Sequence, residues 1–168
     1  MVRHAVALKS VFRVLFGVVW LIDGYLKFQN DFVGQFPGIV QTAQSNAPGW
    51  LQGWYAFWAA QATANPAGIV DTTGALELAL GIALVFGLGR KLAYAGGTAL
   101  SLLIWAVPEG FGGSYGPGTT DVGVGVVYAM LFLGLAILNA TYGPSRWSLD
   151  AQIERRWPGW ARIAEFAR

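Results

Sequence analysis

The sequence predicts an all-α integral membrane four-helix bundle with an extracytoplasmic aromatic helical segment and a basic amphipathic C-terminal tail. Three observations predict it. Of 168 residues, 55% are hydrophobic and only 12% charged, more apolar side chain than one small soluble core can bury. Four apolar runs recur along the chain, each near the ~20 residues a membrane-crossing helix needs. Ten of the eleven Lys and Arg residues lie in segments that four crossings would gather on one side.

The first span, 10–27, follows Arg3, His4 and Lys9 much as a secretory signal would. It contains Arg13 and Asp23 and lacks a small-residue cleavage site, so it reads as a retained helix. The second and third, 69–88 and 92–107, are separated only by Gly89, Arg90 and Lys91, which predicts an antiparallel hairpin. The fourth occupies 121–139, and Gly143-Pro144 stops the helix soon after. Residues 1–147 therefore form the bundle. Its outer segment, 28–68, is too polar to span and too aromatic for a free linker. Trp50, Trp54 and Trp58 recur every four residues, so a helix there presents one aromatic stripe, lying in the membrane interface or packing on the end of the bundle.

The tail, 148–168, mixes Arg155, Arg156, Arg162 and Arg168 with Ile153, Trp157, Trp160, Ile163 and Phe166, and Pro158 divides it. Such a stretch suits an anionic cytoplasmic leaflet. The positive-inside rule then places both termini in the cytoplasm of a multi-pass plasma-membrane protein, with Lys27 alone among the cations on the outer side. Six of the nine acids, Asp23, Asp31, Asp71, Glu77, Glu109 and Asp121, fall at or just inside that outer end. With no cysteine, one His and two Met, the chain has no thiol chemistry and few soft-metal ligands, and no metal site is predicted. The cations sit beside apolar runs instead of forming an aromatic-interleaved patch, which argues against nucleic acid.

Ionisable groups inside a bilayer are costly and normally point inward toward a partner. Gly74, Glu77 and Gly81 share a helical face, so Glu77 should face the interior, with Lys27 the candidate partner and a structural salt bridge the plainer reading. Arg13, Trp20, Gly24 and Lys27 share a face of the first helix with Asp23 on its flank. Arg13 and Lys27 either take part in a site or snorkel to the headgroups. Asp71 and Asp121 stand where outer loops enter helices, positions for N-caps or for the walls of a shared site. Between Trp105 and Asp121 the loop Pro108-Glu109-Gly110-Phe111-Gly112-Gly113-Ser114-Tyr115-Gly116-Pro117-Gly118-Thr119-Thr120 carries unusual backbone freedom, as a site rim or a tight turn would.

Taken in order, Arg13-x6-Trp20-Leu21-x2-Gly24-x2-Lys27, Gly74-Ala75-Leu76-Glu77-Leu78-x2-Gly81 and Pro108-Glu109-Gly110-Phe111-Gly112-Gly113 leading to Thr120-Asp121 resemble the DoxX/DoxD superfamily of small four-helix membrane proteins. That superfamily includes the DoxD subunit of thiosulfate:quinone oxidoreductase. The resemblance covers roughly Lys9 to Leu138 and leaves out the long outer segment and the tail. It implies a compact bundle associated with other membrane redox subunits or with copies of itself, with quinone as the expected cofactor. Without a cysteine for a persulfide, any catalysis would rest on a quinone, a partner subunit or acid-base groups.

The candidate catalytic residues are then Glu77, Lys27, Glu109 and Asp121, and the candidate cofactor-binding residues Arg13, Trp20, Asp23, Trp105 and Tyr115. The leading expectation is a quinone-linked or respiratory membrane component. A non-catalytic accessory subunit of a larger membrane complex is the alternative, and a small-solute or proton transporter ranks third.

Overall fold

A computed structural model of the chain describes residues 2–29, 31–113, 121–143 and 147–166. The regular structure among them is all helical: α1 (Val2–Lys27), α2 (Phe32–Asn46), α3 (Gln52–Ala64), α4 (Pro66–Phe86), α5 (Arg90–Ala106), α6 (Val124–Tyr142), α7 (Leu149–Arg156) and α8 (Ala161–Ala164). Short 3-10 turns precede α3, follow α5 and join α7 to α8.

Among the described residues, three helices are long and apolar enough to cross a membrane: α1 from His4, α4 and α6. The remaining apolar run, 92–107, forms α5, whose 17 residues rise about 25 Å.

Glycines set the helix pairing. α1 and α4 run antiparallel, and a Cβ added at Gly17 would stand 2.9 Å from the Leu84 Cβ and the Val85 nitrogen. Gly24 lies against Leu78, Gly81 against Leu21, and Gly74 against Lys27 and Phe28. In α5 and α6, Gly97 receives the Phe132 ring and Gly125 the Ser101 carbonyl. The backbones thus approach more closely than any side chain would permit. The short α4–α5 turn suggests a hairpin, but the extensive contacts are α1 with α4 and α5 with α6. One core joins both pairs: Phe16 and Trp20, Leu80 and Leu84, Ala93 and Tyr94, Phe132 and Leu135.

α2 and α3 form a hairpin over one end, hereafter the loop end, where Phe36, Val40, Ala59 and Ala62 pack on Val70 and Val107. Of the two placements open for the aromatic segment, this is the packed one, but of the three tryptophans Trp58 alone packs against the buried cluster. Tyr55, Ala59 and Ala62 are buried, while Trp50 is 82% exposed. The Tyr55 hydroxyl donates to the Ala106 carbonyl at 2.8 Å and ties the hairpin to the end of α5.

The opposite, terminal end gathers the start of α1, the α4–α5 turn, the end of α6 and the tail. There the Lys9 ammonium donates to the Gly143 carbonyl, and Asp150 of α7 reaches Arg90.

Two helix starts differ from expectation. α4 opens at Pro66, with the Asn65 side chain accepting from the Gly68 amide at 3.0 Å. An Asn N-cap followed by Pro at N1 is a stronger start signal than an acid farther on, so Asp71 lies inside the helix on an exposed face. α6 opens at Val124, after Gly123 at φ +88°, so Asp121 precedes the helix and accepts from the Gly123 amide at 2.7 Å.

Candidate functional site at the loop end

Glu77 is 1% exposed, held between Gly74 and Gly81 on the α4 face that meets α1. Three turns of α1 beyond Gly17, Lys27 brings its ammonium to 3.2 Å from Glu77 Oε2. The pairing anticipated from spacing is therefore present. The same ammonium lies 5.2 Å from the centroid of the Phe32 ring, a cation–π placement that holds the side chain toward the α2–α3 hairpin.

Asp23, one turn back on α1, interacts with Lys27 and lies within hydrogen-bonding reach of the Tyr128 hydroxyl on α6. Tyr128 in turn interacts with the charges of Asp23, Glu109 and Glu77. Three carboxylates, one ammonium and one phenol therefore occupy one neighbourhood, with acid in excess.

Glu109 has a defined structural task. Its two carboxylate oxygens accept from the Gly125 amide at 3.1 and 2.9 Å. A carboxylate from the preceding loop thus caps the positive end of α6, a task the sequence suggested for Asp121. Gly123 permits the arrangement, since a Cβ there would stand 2.6 Å from Glu109 Oε2. Trp105 closes the same corner, donating from its indole to the Val122 carbonyl at 2.8 Å and packing edge-on against Phe111.

A cavity of about 70 Å³ opens beside this cluster, between the hairpin and the ends of α4 and α5. Lys27, Phe36, Trp58, Thr73, Ile104 and Val107 are among its lining residues. The volume is several times the ~10–15 Å³ a single water requires. The walls are apolar apart from Lys27, Thr73 and the Trp58 indole nitrogen, which is buried without a hydrogen-bond partner.

The remaining candidates separate. Trp20 is in the central core, ringed by Phe16, Tyr128 and Phe132. Arg13 is buried at the terminal end, away from the Lys27–Glu77 pair. Tyr115 lies outside the described residues. Among the described residues, no three His, Asp or Glu side chains gather as metal ligands.

At the terminal end, sequence reasoning missed the network around Arg90. Arg90 is buried and surrounded by acids of the tail. Its Nε lies 2.8 Å from Asp150 Oδ2, its Nη2 is 3.7 Å from Glu154 Oε1, and Nη2 also pairs with Glu165. Asn139 of α6 completes the group, accepting from Arg90 Nη1 at 3.3 Å and donating to Glu165 Oε2 at 3.2 Å. Burial opposes charge on Asp150. The donors around it, namely the Trp160 indole, the Arg90 guanidinium and the amides of Arg90 and Gly89, outweigh that and hold its carboxyl below the usual range. Glu165 lies above its ordinary value, first through burial, with Arg90 pulling it down and Glu154 pushing it up. Asp150 and Glu154, four apart and both buried, were the available signal: two acids on one face of an otherwise basic tail.

Among the described residues, fold and site together define an all-helical protein with three helices long and apolar enough to cross a membrane and a Lys–Glu pair, its acid buried and its lysine half-buried, beside a small apolar cavity. Comparison with protein-family models, curated proteins and solved structures finds no match.

Proposed function

We propose that this chain is a four-span plasma-membrane protein of DoxX/DoxD-like character that binds a quinone headgroup in the loop-end cavity and serves a membrane redox chain. The observation that carries the reading is the cavity's composition. Apolar walls suit a flat ring, while the Lys27 ammonium and the unpartnered Trp58 indole can each donate to a carbonyl oxygen. Glu77 would exchange a proton with the bound ring through Lys27, which lines the cavity and pairs with it. Reduction of a quinone takes up two electrons and two protons, and a small donor or a partner subunit would supply the electrons. In this reading α5 is the fourth span, its short length met by local thinning of the bilayer.

Three measurements test the proposal. The chain lacks cysteine, so single cysteines introduced at Trp50 and Arg155 report topology without background. Labelling of intact cells should reach the first and not the second, and equal labelling rejects the four-span map. Quinone reduction by thiosulfate and other small donors is then compared in membranes carrying the wild type or Glu77→Gln, alongside quenching of tryptophan fluorescence by a short-chain quinone. Saturable quenching that weakens in Trp58→Phe supports the pocket. Absence of both quenching and turnover rejects it.

A non-catalytic accessory role is favoured by one feature, the outward aromatic face of the hairpin, where Trp50 and Phe57 are exposed. Purification in gentle detergent with a stoichiometric companion and no quinone turnover would select this reading.

A further inference from the structure

Arg13 is 3% exposed, its Nε has no hydrogen-bond partner, and it forms no ion pair among the described residues. Burying a cation without an anion is among the most costly arrangements a fold can contain, so its surroundings bear on what completes it. The guanidinium lies directly on Gly87, where a Cβ would stand 1.5 Å from Nη1, with the Ser148 Cβ close to the same point. The fold therefore keeps this space open for the arginine.

Among the described residues, no acid at this end forms an ion pair with it. Asp150 is near enough to interact, but its Oδ1 accepts from the Gly89 amide and the Trp160 indole, both at 2.7 Å. Its Oδ2 accepts from the Arg90 amide at 3.0 Å and from Arg90 Nε at 2.8 Å. Glu154 and Glu165 stand against Arg90. Lys9 and Arg90 add their own positive charge to the neighbourhood. All three acids of this end thus turn to Arg90, and among the described residues none forms an ion pair with Arg13.

An anion for Arg13 has a defined route of access. A groove of about 520 Å³ runs along the first half of α1, lined by Arg13, Ser10, Val11, Leu15, Val85 and Trp147 among others. Val11 and Leu15 are 55% and 61% exposed, so the groove opens sideways through an apolar helix face. An anion arriving there must bring apolar chains with it.

We infer that this groove binds an anionic phospholipid, its phosphate on Arg13 and its acyl chains along Val11, Leu15 and Val85. A guanidinium recognises phosphate through paired N–H donors, and Trp147 stands at the mouth as aromatic residues do at headgroup depth. The inference rests on the membrane-spanning reading and is independent of the quinone pocket at the other end.

The test is thermal unfolding of the purified protein in neutral detergent, with added phosphatidylglycerol, phosphatidylcholine or inorganic phosphate, and native mass spectrometry of retained lipid. Wild type should be half-saturated by phosphatidylglycerol at about a tenfold lower concentration than by phosphatidylcholine, the difference one charge-assisted contact supplies. Arg13→Gln should lose that preference. Val11→Trp, which fills the groove and leaves the charge in place, should lose it too and decides the matter if Arg13→Gln does not fold. The pair Arg155→Gln and Arg156→Gln should keep it, separating this site from general attraction to the tail. Equal stabilisation of wild type by the two lipids, or a preference that survives in Val11→Trp, overturns the proposal. Protection by inorganic phosphate equal to that by phosphatidylglycerol also overturns it, because the ligand would then be a soluble anion. Failure of the membrane reading would appear separately, as release of the protein from membranes by carbonate.

Discussion

Lys27 and Glu77 form an unequal pair: with 3.2 Å between their charged atoms, the Lys27 side chain is 21% exposed and that of Glu77 2%. Loss of the lysine strands a carboxyl group in the interior, whereas loss of the acid leaves an ammonium that can turn toward the surface. Lys27→Met should therefore cost about 1–3 kcal/mol and Glu77→Gln clearly less. The double variant Lys27→Met with Glu77→Leu should recover most of the loss. Unfolding by denaturant in mild detergent measures all three, and a larger cost for Glu77→Gln alone would contradict this asymmetry.

Glu109 supplies the cap that α6 lacks from its own sequence, since Gly123 has no side chain to offer. Glu109→Ala should lower stability by about 1 kcal/mol, the usual worth of a cap. Glu109→Gln, which keeps an acceptor but not the charge, should lose roughly half of that. Amide exchange at Gly125 provides the local check, with faster exchange expected in Glu109→Ala.

The glycine seams make a steric prediction. A Cβ at Gly24 would stand 2.8 Å from the Leu78 nitrogen, which is backbone and cannot turn aside. Gly24→Ala should force α1 away from α4 and cost about 1–3 kcal/mol. Gly34→Ala meets no neighbour and should be neutral or slightly stabilising. Melting temperatures of the two variants test the contrast.

At the terminal end, two acids respond to pH in opposite directions. Asp150 has a folded value below its ordinary 3.8, so its contribution is present above that value and is lost as pH falls through the folded one. Glu165 has a folded value above its ordinary 4.5, so its contribution is complete below that value and fades as pH rises through the folded one. Melting temperature followed from about pH 3 to about pH 8 should pass through a maximum, and Glu165→Gln should flatten the decline on the alkaline side. Arg90→Gln, which leaves three buried acids facing one another, should cost about 3–5 kcal/mol and expose the tail to proteolysis.

Much of this architecture was legible in the residues. The apolar runs located α1, α4, α5 and α6, and the Gly74–Glu77–Gly81 face oriented the acid toward Lys27, because a helix of fixed pitch turns spacing directly into position. Helix starts were less legible, since Asn65-Pro66 and the cap from distant Glu109 compete with the nearer Asp71 and Asp121. Helix pairing was harder still. The three-residue turn between α4 and α5 suggests adjacency, yet glycines far apart in sequence determine which backbones can touch. The Arg90 network could not be read from local pattern, because its partners lie about sixty and seventy-five residues downstream and a basic tail conceals acids facing inward.

The distance between Arg90 and its carboxylates has a consequence for how the chain is made. While α5 and α6 emerge from the ribosome, the guanidinium has no counter-charge. It must wait in water or at the headgroups until residues 149–165 have been synthesised. Final seating of the turn between α4 and α5 is thus deferred until the tail has been made, and a stop codon near position 148 would yield a chain with α1 to α6 in place but without α7, α8 and the acids that close this junction.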